Sequence, residues 1–162
     1  MTRAACPGSY DPPTTGHLDV FDRASRLFDE VVVVVGVNPN KRGLFSVEER
    51  IALLTDSVAH LGNVRVDSWQ GLIVDYCSRH GVAAIVKGLR TATDFDYELP
   101  MAQMNQQLTG VETLFLPTRP GMSHLSSSLV KEVAALGGDV TGMLPDQVHH
   151  KLLERLAENR KG

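Results

Sequence analysis

The sequence has no excess of positive charge. Its 162 residues include 16 Lys and Arg against 19 Asp and Glu, which gives a formal net charge of -3. Proteins that bind the nucleic-acid backbone present a surface rich in Lys and Arg, and this composition has no excess of these residues. We therefore expect no nucleic-acid partner. A few cationic side chains can still converge on one small phosphorylated molecule, so we expect a small ligand.

The chain also lacks long apolar segments. The valine run at 31–35 is far too short to cross a bilayer, and residues 1–7 lack the apolar stretch of a signal peptide. We therefore expect a cytoplasmic protein with no membrane partner. A hydrophobic content of 43% is enough for a substantial core within one domain spanning residues 1–162.

Cysteine is scarce, since Cys6 and Cys77 are the only two. They have neither the spacing of metal ligands nor a C-x-x-C pattern, so we expect reduced, mostly buried thiols and no zinc site. No carboxylate cluster marks a magnesium cage either. The sequence therefore predicts no metal-ligating residue.

What the chain does contain is an alternation of short apolar runs with amphipathic stretches. The runs predict buried parallel strands at 3–6, 31–37, 64–67, 83–87 and 113–116. Helical spacing and capping signals predict helices that begin near 17 and 46, span 72–80, 94–108 and 126–136, and follow Pro145. The order predicts a single doubly wound, Rossmann-like α/β domain with a five-stranded parallel sheet and helices on both faces.

A ligand of such a fold binds beyond the carboxyl ends of the strands. Polar and basic residues follow four of the predicted strands, at 9–17, 38–42, 87–90 and 118–128. Each segment by itself could be an ordinary solvated loop or turn. Because the four loops meet at one edge of a parallel sheet, we expect them to form one binding site.

The first of these loops ends in Thr14-Thr15-Gly16-His17. A histidine between a strand and a helix lies among free backbone N–H groups, where the helix dipole favours phosphate. The segment therefore indicates a phosphate site. The alternative is that His17 only caps the helix, because four-residue motifs recur by accident.

Three stretches together resemble the bacterial phosphopantetheine adenylyltransferases of the nucleotidyltransferase superfamily: 7–17 (PGSYDPPTTGH), 87–98 (KGLRTATDFDYE) and 126–132 (SSSLVKE). The resemblance extends over nearly the whole chain. It implies transfer of an adenylyl group from ATP to 4'-phosphopantetheine, giving dephospho-coenzyme A and pyrophosphate, the penultimate step of coenzyme A biosynthesis. It also implies Mg²⁺ as cofactor and a homohexamer built as a dimer of trimers.

The resemblance further implies a role for each matching residue. His17 would be the catalytic residue, contacting the α-phosphate and stabilising its charge in the transition state. ATP would be bound by Ser9, Tyr10, His17, Gly88, Leu89, Arg90, Glu98, Met122, Ser123, His124, Leu125, Ser126, Ser127 and Ser128. 4'-Phosphopantetheine would be bound by Ser9, Lys41, Ile73 and Lys87.

Some positions depart from the pattern of the best-known members. Ser9 stands where threonine is common, Lys87 where arginine is common, and 122–124 replaces a stretch where aromatic residues are frequent. Lysine keeps the charge of arginine but loses its bidentate fork, so we expect looser phosphate geometry. Leu72, beside Ile73, is expected in the core from its periodicity.

Two other functions remain open from the residues alone. One is a sister nucleotidyltransferase that uses another small phosphorylated acceptor, which would share the T-x-G-H segment and the serine helix but diverge at Lys41, Ile73 and Lys87. The other is a noncatalytic nucleotide-binding or flavodoxin-like module. Such a module has little need for His17 together with two lysines on the acceptor side.

Overall fold

Five strands and six helices alternate in the computed structural model, which describes residues 1–162. The strands are β1 (Arg3–Gly8), β2 (Glu30–Gly36), β3 (Val64–Trp69), β4 (Ala84–Leu89) and β5 (Glu112–Pro117). The helices are α1 (Thr15–Ser25), α2 (Val47–Val58), α3 (Ile73–His80), α4 (Ala92–Thr109), α5 (Ser127–Ala135) and α6 (Asp146–Lys161). None of these helices combines the length and apolar character that a bilayer crossing requires.

The five strands form one sheet in the order β3-β2-β1-β4-β5, and every neighbouring pair is parallel. The chain first moves outward from β1 to β3 and then returns to place β4 on the other side of β1. The winding direction therefore reverses between β1 and β4. The doubly wound parallel sheet predicted from the sequence is confirmed.

Successive side chains of the central strands point to opposite faces of the sheet, and apolar residues of the helices cover both faces. On β2, Val31, Val33 and Val35 pack with apolar residues of α1 and α2, whereas Val32 and Val34 pack with those of α3. Helix α4 lies beside α3. A strand buried on both faces reads as a continuous apolar run, which is what the five valines supply.

A third apolar cluster lies away from the sheet and joins α5 and α6 to the loop after β2. Phe45, Val130, Val148 and Leu152 are among its most buried members, each at most 2% exposed. The cluster fixes the two C-terminal helices against the segment that precedes α2. The carboxyl edge of the sheet is therefore flanked by α5 and α6.

The strand and helix limits differ from the prediction at a few places. Strand β4 continues to Leu89, so Lys87 and Gly88 belong to the strand and not to a turn; they pair in register with Phe115 and Leu116 of β5. Leu72 is 59% exposed, so its expected place in the core is wrong. It precedes the first turn of α3, where the apolar spacing of the helix does not yet decide which side chain is buried.

The ladder between β1 and β4 is short. β1 pairs with β2 from Arg3 to Gly8, but with β4 only at Ala4 and Ala5. Past Ala5 the two strands separate, and residues 6–8 and 86–88 line a cavity where a continued ladder would have closed the sheet. The reversal of winding thus opens a crevice at the carboxyl edge.

Both cysteines are buried and free, as predicted. Burial raises the pKa of Cys6 to about 12 and that of Cys77 to about 11. Both therefore remain protonated thiols at neutral pH, and they serve the core as small apolar side chains.

The third cluster should contribute strongly to stability. Replacing Leu152, which is fully buried, by alanine leaves a cavity and should lower the free energy of unfolding by about 2–5 kcal/mol. Leu153→Ala is the matched control, because Leu153 is 45% exposed and should change stability by no more than about 0.5 kcal/mol. Urea unfolding followed by circular dichroism measures both, and equal losses would contradict the packing described.

Candidate active site

A cavity of about 270 Å³ occupies the crevice between β1 and β4; we call it the first cavity. The loops after β1, β4 and β5 and the starts of α1 and α5 surround it. Three of the four loops predicted to meet at one edge thus surround this cavity, whereas the loop at 38–42 does not line it. The site residues from the sequence that line it are Ser9, Tyr10, His17, Lys87, Gly88, Arg90, Met122, Leu125, Ser126 and Ser127.

His17 is the third residue of α1 and closes a capping box with Thr14. The backbone N–H of His17 donates to Thr14 Oγ1 at 3.3 Å, and the backbone N–H of Thr14 donates to His17 Nδ1 at 3.0 Å. Because Nδ1 accepts a hydrogen bond, the neutral ring carries its proton on Nε2. His17 thus caps α1, and the cap leaves Nε2–H as a donor for a ligand.

The charge state of His17 follows from its surroundings. Burial lowers the pKa of His17 to about 4, and the positive charge of Arg90 adds to the effect. At neutral pH the ring is therefore uncharged. His17 lines the first cavity as a hydrogen-bond donor, without the charge of an imidazolium.

Tyr10 supports the His17 ring. Its ring lies edge-on to His17 at a centroid distance of 4.9 Å and to Phe21 at 5.4 Å, and its hydroxyl donates to the Cys6 carbonyl at 2.8 Å. These contacts hold Tyr10 at a left-handed φ of 48°. Gly8 is required beneath it, because a Cβ there would lie 2.8 Å from the tyrosine ring.

Two cations at the end of β4 line the first cavity, and each has a carboxylate partner on α4. Lys87 Nζ lies 2.7 Å from Glu98 Oε2, and Arg90 Nε lies 3.0 Å from Asp94 Oδ2. Arg90 Nη1 also donates to the Leu125 carbonyl at 3.1 Å. The pairing orients both cations, and Arg90 connects α4 to the loop before α5.

The three serines at the start of α5 differ in what they contact. Ser126 is the N-cap, and its hydroxyl accepts from the Leu129 N–H at 3.1 Å. The Ser127 hydroxyl donates to the Pro12 carbonyl at 2.7 Å, whereas Ser128 lines a second cavity. Two hydroxyls thus have protein partners, which leaves the first amides of α5 and the Ser128 hydroxyl for a ligand.

The second cavity, of about 200 Å³, adjoins the first at Ser9 and Ser127, which line both. Lys41 lines this second cavity and not the first. The ionisable residues around the second cavity are one carboxylate and four cations: Asp11, Lys41, Arg42, Arg50 and Lys131. The surplus of positive charge favours an anion there.

The loop between β2 and α2, residues 37–46, carries Lys41 and is fixed to the β1 end. Asp11 accepts from the backbone N–H groups of Leu44 and Phe45, both at 2.9 Å. Arg50 donates through Nε to the Phe45 carbonyl at 3.2 Å and through Nη1 to the Ser9 carbonyl at 2.9 Å. Sequence reasoning missed Arg50, because an arginine on an amphipathic helix carries no signal of its partners.

Some predicted site residues lie elsewhere. Ile73 begins α3. Like Trp69, it packs against the apolar residues on the face of the sheet that α3 covers, which is the face opposite α1. Glu98 meets the site through Lys87, as its carboxylate partner. The predicted residues that line neither of the two cavities are Ile73, Leu89, Glu98, Ser123 and His124.

The arrangement suits a polyphosphate beside a second anion. The first cavity combines a neutral N–H donor, two oriented cations and the N-terminal end of α5, all of which favour phosphate oxygens. The second cavity provides further cations next to it. Two phosphate groups that would repel each other in water can therefore be held side by side.

Comparison with known proteins relates this geometry to a family. A family model described as cytidylyltransferase-like matches residues 5–133, a segment that contains every residue lining the two cavities. A solved structure from Vibrio parahaemolyticus, assigned as a nicotinate-nucleotide adenylyltransferase, matches with a TM-score of 0.70 and 18% identity. That match covers 96% of this chain and 95% of the other, and at such low identity the likeness concerns the fold.

His17 should titrate with a midpoint near pH 4, far below the ordinary 6.5, because burial and Arg90 disfavour the charged ring. Its carbon-bound ring proton, assigned by its disappearance in His17→Asn, reports this midpoint by NMR. Since the unfolded chain binds the proton first, the wild type should also lose stability to this group as the pH falls from about 6.5 to 4. A midpoint near 6.5 would contradict the environment described.

Proposed function

The chain belongs to the cytidylyltransferase-like family of nucleotidyltransferases, and on that premise we propose that it transfers the adenylyl group of ATP to 4'-phosphopantetheine. The products would be dephospho-coenzyme A and pyrophosphate. The choice of acceptor is supported by the stretches at 7–17, 87–98 and 126–132, which resemble the phosphopantetheine adenylyltransferases. The stretches at 7–17 and 126–132 contribute residues to both cavities, and the stretch at 87–98 contributes residues to the first.

The observation that carries this proposal is the junction of the two cavities at Ser9 and Ser127. A transferase of this kind must bring an acceptor phosphate against the α-phosphate of ATP. His17 and Arg90 line one side of the junction, and Lys41 lines the other. The cations offset the repulsion between the two phosphates, so the geometry serves transfer better than simple nucleotide binding.

The main task of the protein in this reaction is to position the acceptor phosphate and ATP and to stabilise the charge of the transition state. A phosphate oxygen of the acceptor attacks the α-phosphorus, a new P–O bond forms, and the bond to the bridging oxygen breaks as pyrophosphate leaves with the electron pair. The attacking oxygen is already an anion, so no general base is needed. His17 Nε2–H donates to an α-phosphate oxygen and stabilises the charge of the transition state.

Lys87 and Lys41 complete the proposed acceptor site. Lys87, oriented by Glu98 at 2.7 Å, would contact the acceptor phosphate from the first cavity, and Lys41 would contact it from the second. Ser9 lies between them. Ser126 to Ser128 at the start of α5 would hold the outer phosphates of ATP, which become the leaving group.

Mg²⁺ would arrive with the nucleotide and supply charge neutralisation on its phosphates. The chain has no group of three or more His, Cys, Asp or Glu side chains arranged to hold a metal ion. Asp11 lines the second cavity, but both its oxygens accept backbone N–H groups. The donor set thus fits an ion bound mainly by phosphate oxygens and water.

We also propose a homohexamer, a dimer of trimers, as the resemblance implies. A stripe on α4 supports self-association: Tyr97, Met101, Met104 and Leu108 recur at helical spacing and are each more than half exposed. The helical spacing of Met101 and Met104 suits either the core or an interface. Their exposure favours an interface.

The acceptor is tested by measuring pyrophosphate release from ATP and Mg²⁺ with each of several phosphorylated acceptors. We expect release with 4'-phosphopantetheine and formation of dephospho-coenzyme A, identified by mass, and no release when Mg²⁺ is removed by chelation. Nicotinate mononucleotide, nicotinamide mononucleotide and glycerol 3-phosphate are the parallel acceptors. Release with one of these alone would make the protein a sister enzyme, and ATP binding without release would favour a noncatalytic module.

His17→Ala should lower kcat by about 10²- to 10³-fold, because it removes a donor that acts on the charge of the transition state. The KM for ATP should stay within a few-fold of the wild type, since the ground-state phosphates keep Arg90 and the amides of α5. Steady-state kinetics of pyrophosphate release measure both. An unchanged kcat with a raised KM for ATP would assign His17 to nucleotide binding alone.

A further inference from the structure

We propose that Arg155, on the C-terminal helix α6, is a positioning residue for the acceptor phosphate, because it fixes the loop at 37–46 that carries Lys41. The inference rests on the proposed function. Arg155 lines neither the first nor the second cavity and lies beyond the segment matched by the family model. It would act through the loop, without touching either substrate.

Arg155 directs both terminal nitrogens of its guanidinium to the end of this loop and the first turn of α2, while its Nε donates to Glu158 on its own helix at 3.1 Å. Nη1 donates to the Leu44 carbonyl at 2.8 Å and to Glu49 Oε2 at 3.1 Å, and Nη2 donates to Glu49 Oε1. The guanidinium carbon lies 5.2 Å from the centroid of the Phe45 ring. The Arg155 side chain thus contacts the Leu44 carbonyl, the Phe45 ring and the Glu49 carboxylate, which are close together in sequence.

Glu49 makes the contact rigid. It is the third residue of α2, where its carboxylate accepts from the Ser46 N–H at 2.8 Å in a capping box. Hydrogen bonds from Arg155 and from Ser46 lower the pKa of Glu49 to about 2, so the carboxylate is ionised throughout the neutral range. Arg155 therefore binds a charged group that already belongs to the first turn of α2.

The other side of the loop is held by Asp11, in the segment after β1, and by Arg50 of α2. Asp11 binds the amides of Leu44 and Phe45, and Arg50 binds the Phe45 carbonyl. Arg155 supplies the partner of the Leu44 carbonyl. Without it, the two residues would be fixed only through Asp11, Arg50 and the packing of Phe45 in the third cluster, and the segment that precedes them, with Lys41, would gain freedom to move away from the second cavity.

The effect should be confined to the acceptor. Residues of the 37–46 loop line the second cavity, and none of them lines the first. Lys41 is the member of this loop proposed to contact the acceptor phosphate. Loosening the loop should therefore weaken acceptor binding and leave the nucleotide side, with His17 and Arg90, as it is.

The test compares Arg155→Ala and Arg155→Lys with Arg160→Ala in steady-state assays. Arg160 lies on the same helix and donates to the Ala135 carbonyl at 2.9 Å, away from the loop, so it is the matched control. Arg155→Ala should raise the KM for the acceptor by about tenfold, with kcat and the KM for ATP within about twofold. Arg155→Lys should recover part of the loss, because it keeps the charge but not the fork.

A double-mutant cycle with Lys41→Ala separates positioning from general destabilisation. If Arg155 acts through Lys41, adding Arg155→Ala to Lys41→Ala should change the KM for the acceptor by less than about twofold. Full additivity of the two losses would overturn the proposal. So would an unchanged acceptor KM in Arg155→Ala, or equal losses in every kinetic parameter together with a lower Tm.

Hydrogen exchange gives a readout that needs no acceptor. The amides of Leu44 and Phe45 should exchange about tenfold faster in Arg155→Ala than in the wild type, with no matching change in β1 or α1. Unchanged exchange would overturn the proposal. If the wild type uses no phosphopantetheine, the proposed function fails, and exchange still decides whether Arg155 anchors the loop.

Discussion

The separation of β1 and β4 past Ala5 is the constraint on which the site depends. A sheet that winds both ways from β1 must open at this point, and parallel pairing directs the loops after β1, β4 and β5 into the opening. Gly8 and Tyr10 adapt the end of β1 to it, since the tyrosine ring packs directly over the glycine. Every polar group of the first cavity is positioned relative to that crevice.

Within the crevice, structural hydrogen bonds also set the chemistry. The bond from the Thr14 N–H to His17 Nδ1 caps α1, and by the same geometry it determines which ring nitrogen bears the proton. Glu98 orients Lys87, and Asp94 orients Arg90, so each cation is held by a carboxylate partner of its own. Groups that stabilise the fold thus prepare the site for phosphate before any ligand binds.

The placement of candidate residues around the first cavity could be predicted where chain position alone decides location. Ser9, Lys87 and Arg90 lie at the carboxyl ends of parallel strands, which must share an edge, and His17 lies in the first turn of the helix that follows β1. All four line the first cavity. Glu98 and Ser127 turned out to have protein partners, because hydrogen bonding between distant segments is not encoded in local spacing. Leu72 was misplaced for a similar reason, since periodicity does not say where a helix begins.

The sequence by itself determined the fold class, because continuous valine runs require a sheet buried on both faces and the intervening amphipathic segments require helices to cover it. It also determined that His17 stands at a helix start. Only the tertiary structure decided that Arg50 and Arg155 fix the loop bearing Lys41, and that two cavities meet at Ser9. The reason is physical: both arginines bind backbone carbonyls, and which carbonyl lies within reach depends on how helices far apart in sequence pack together.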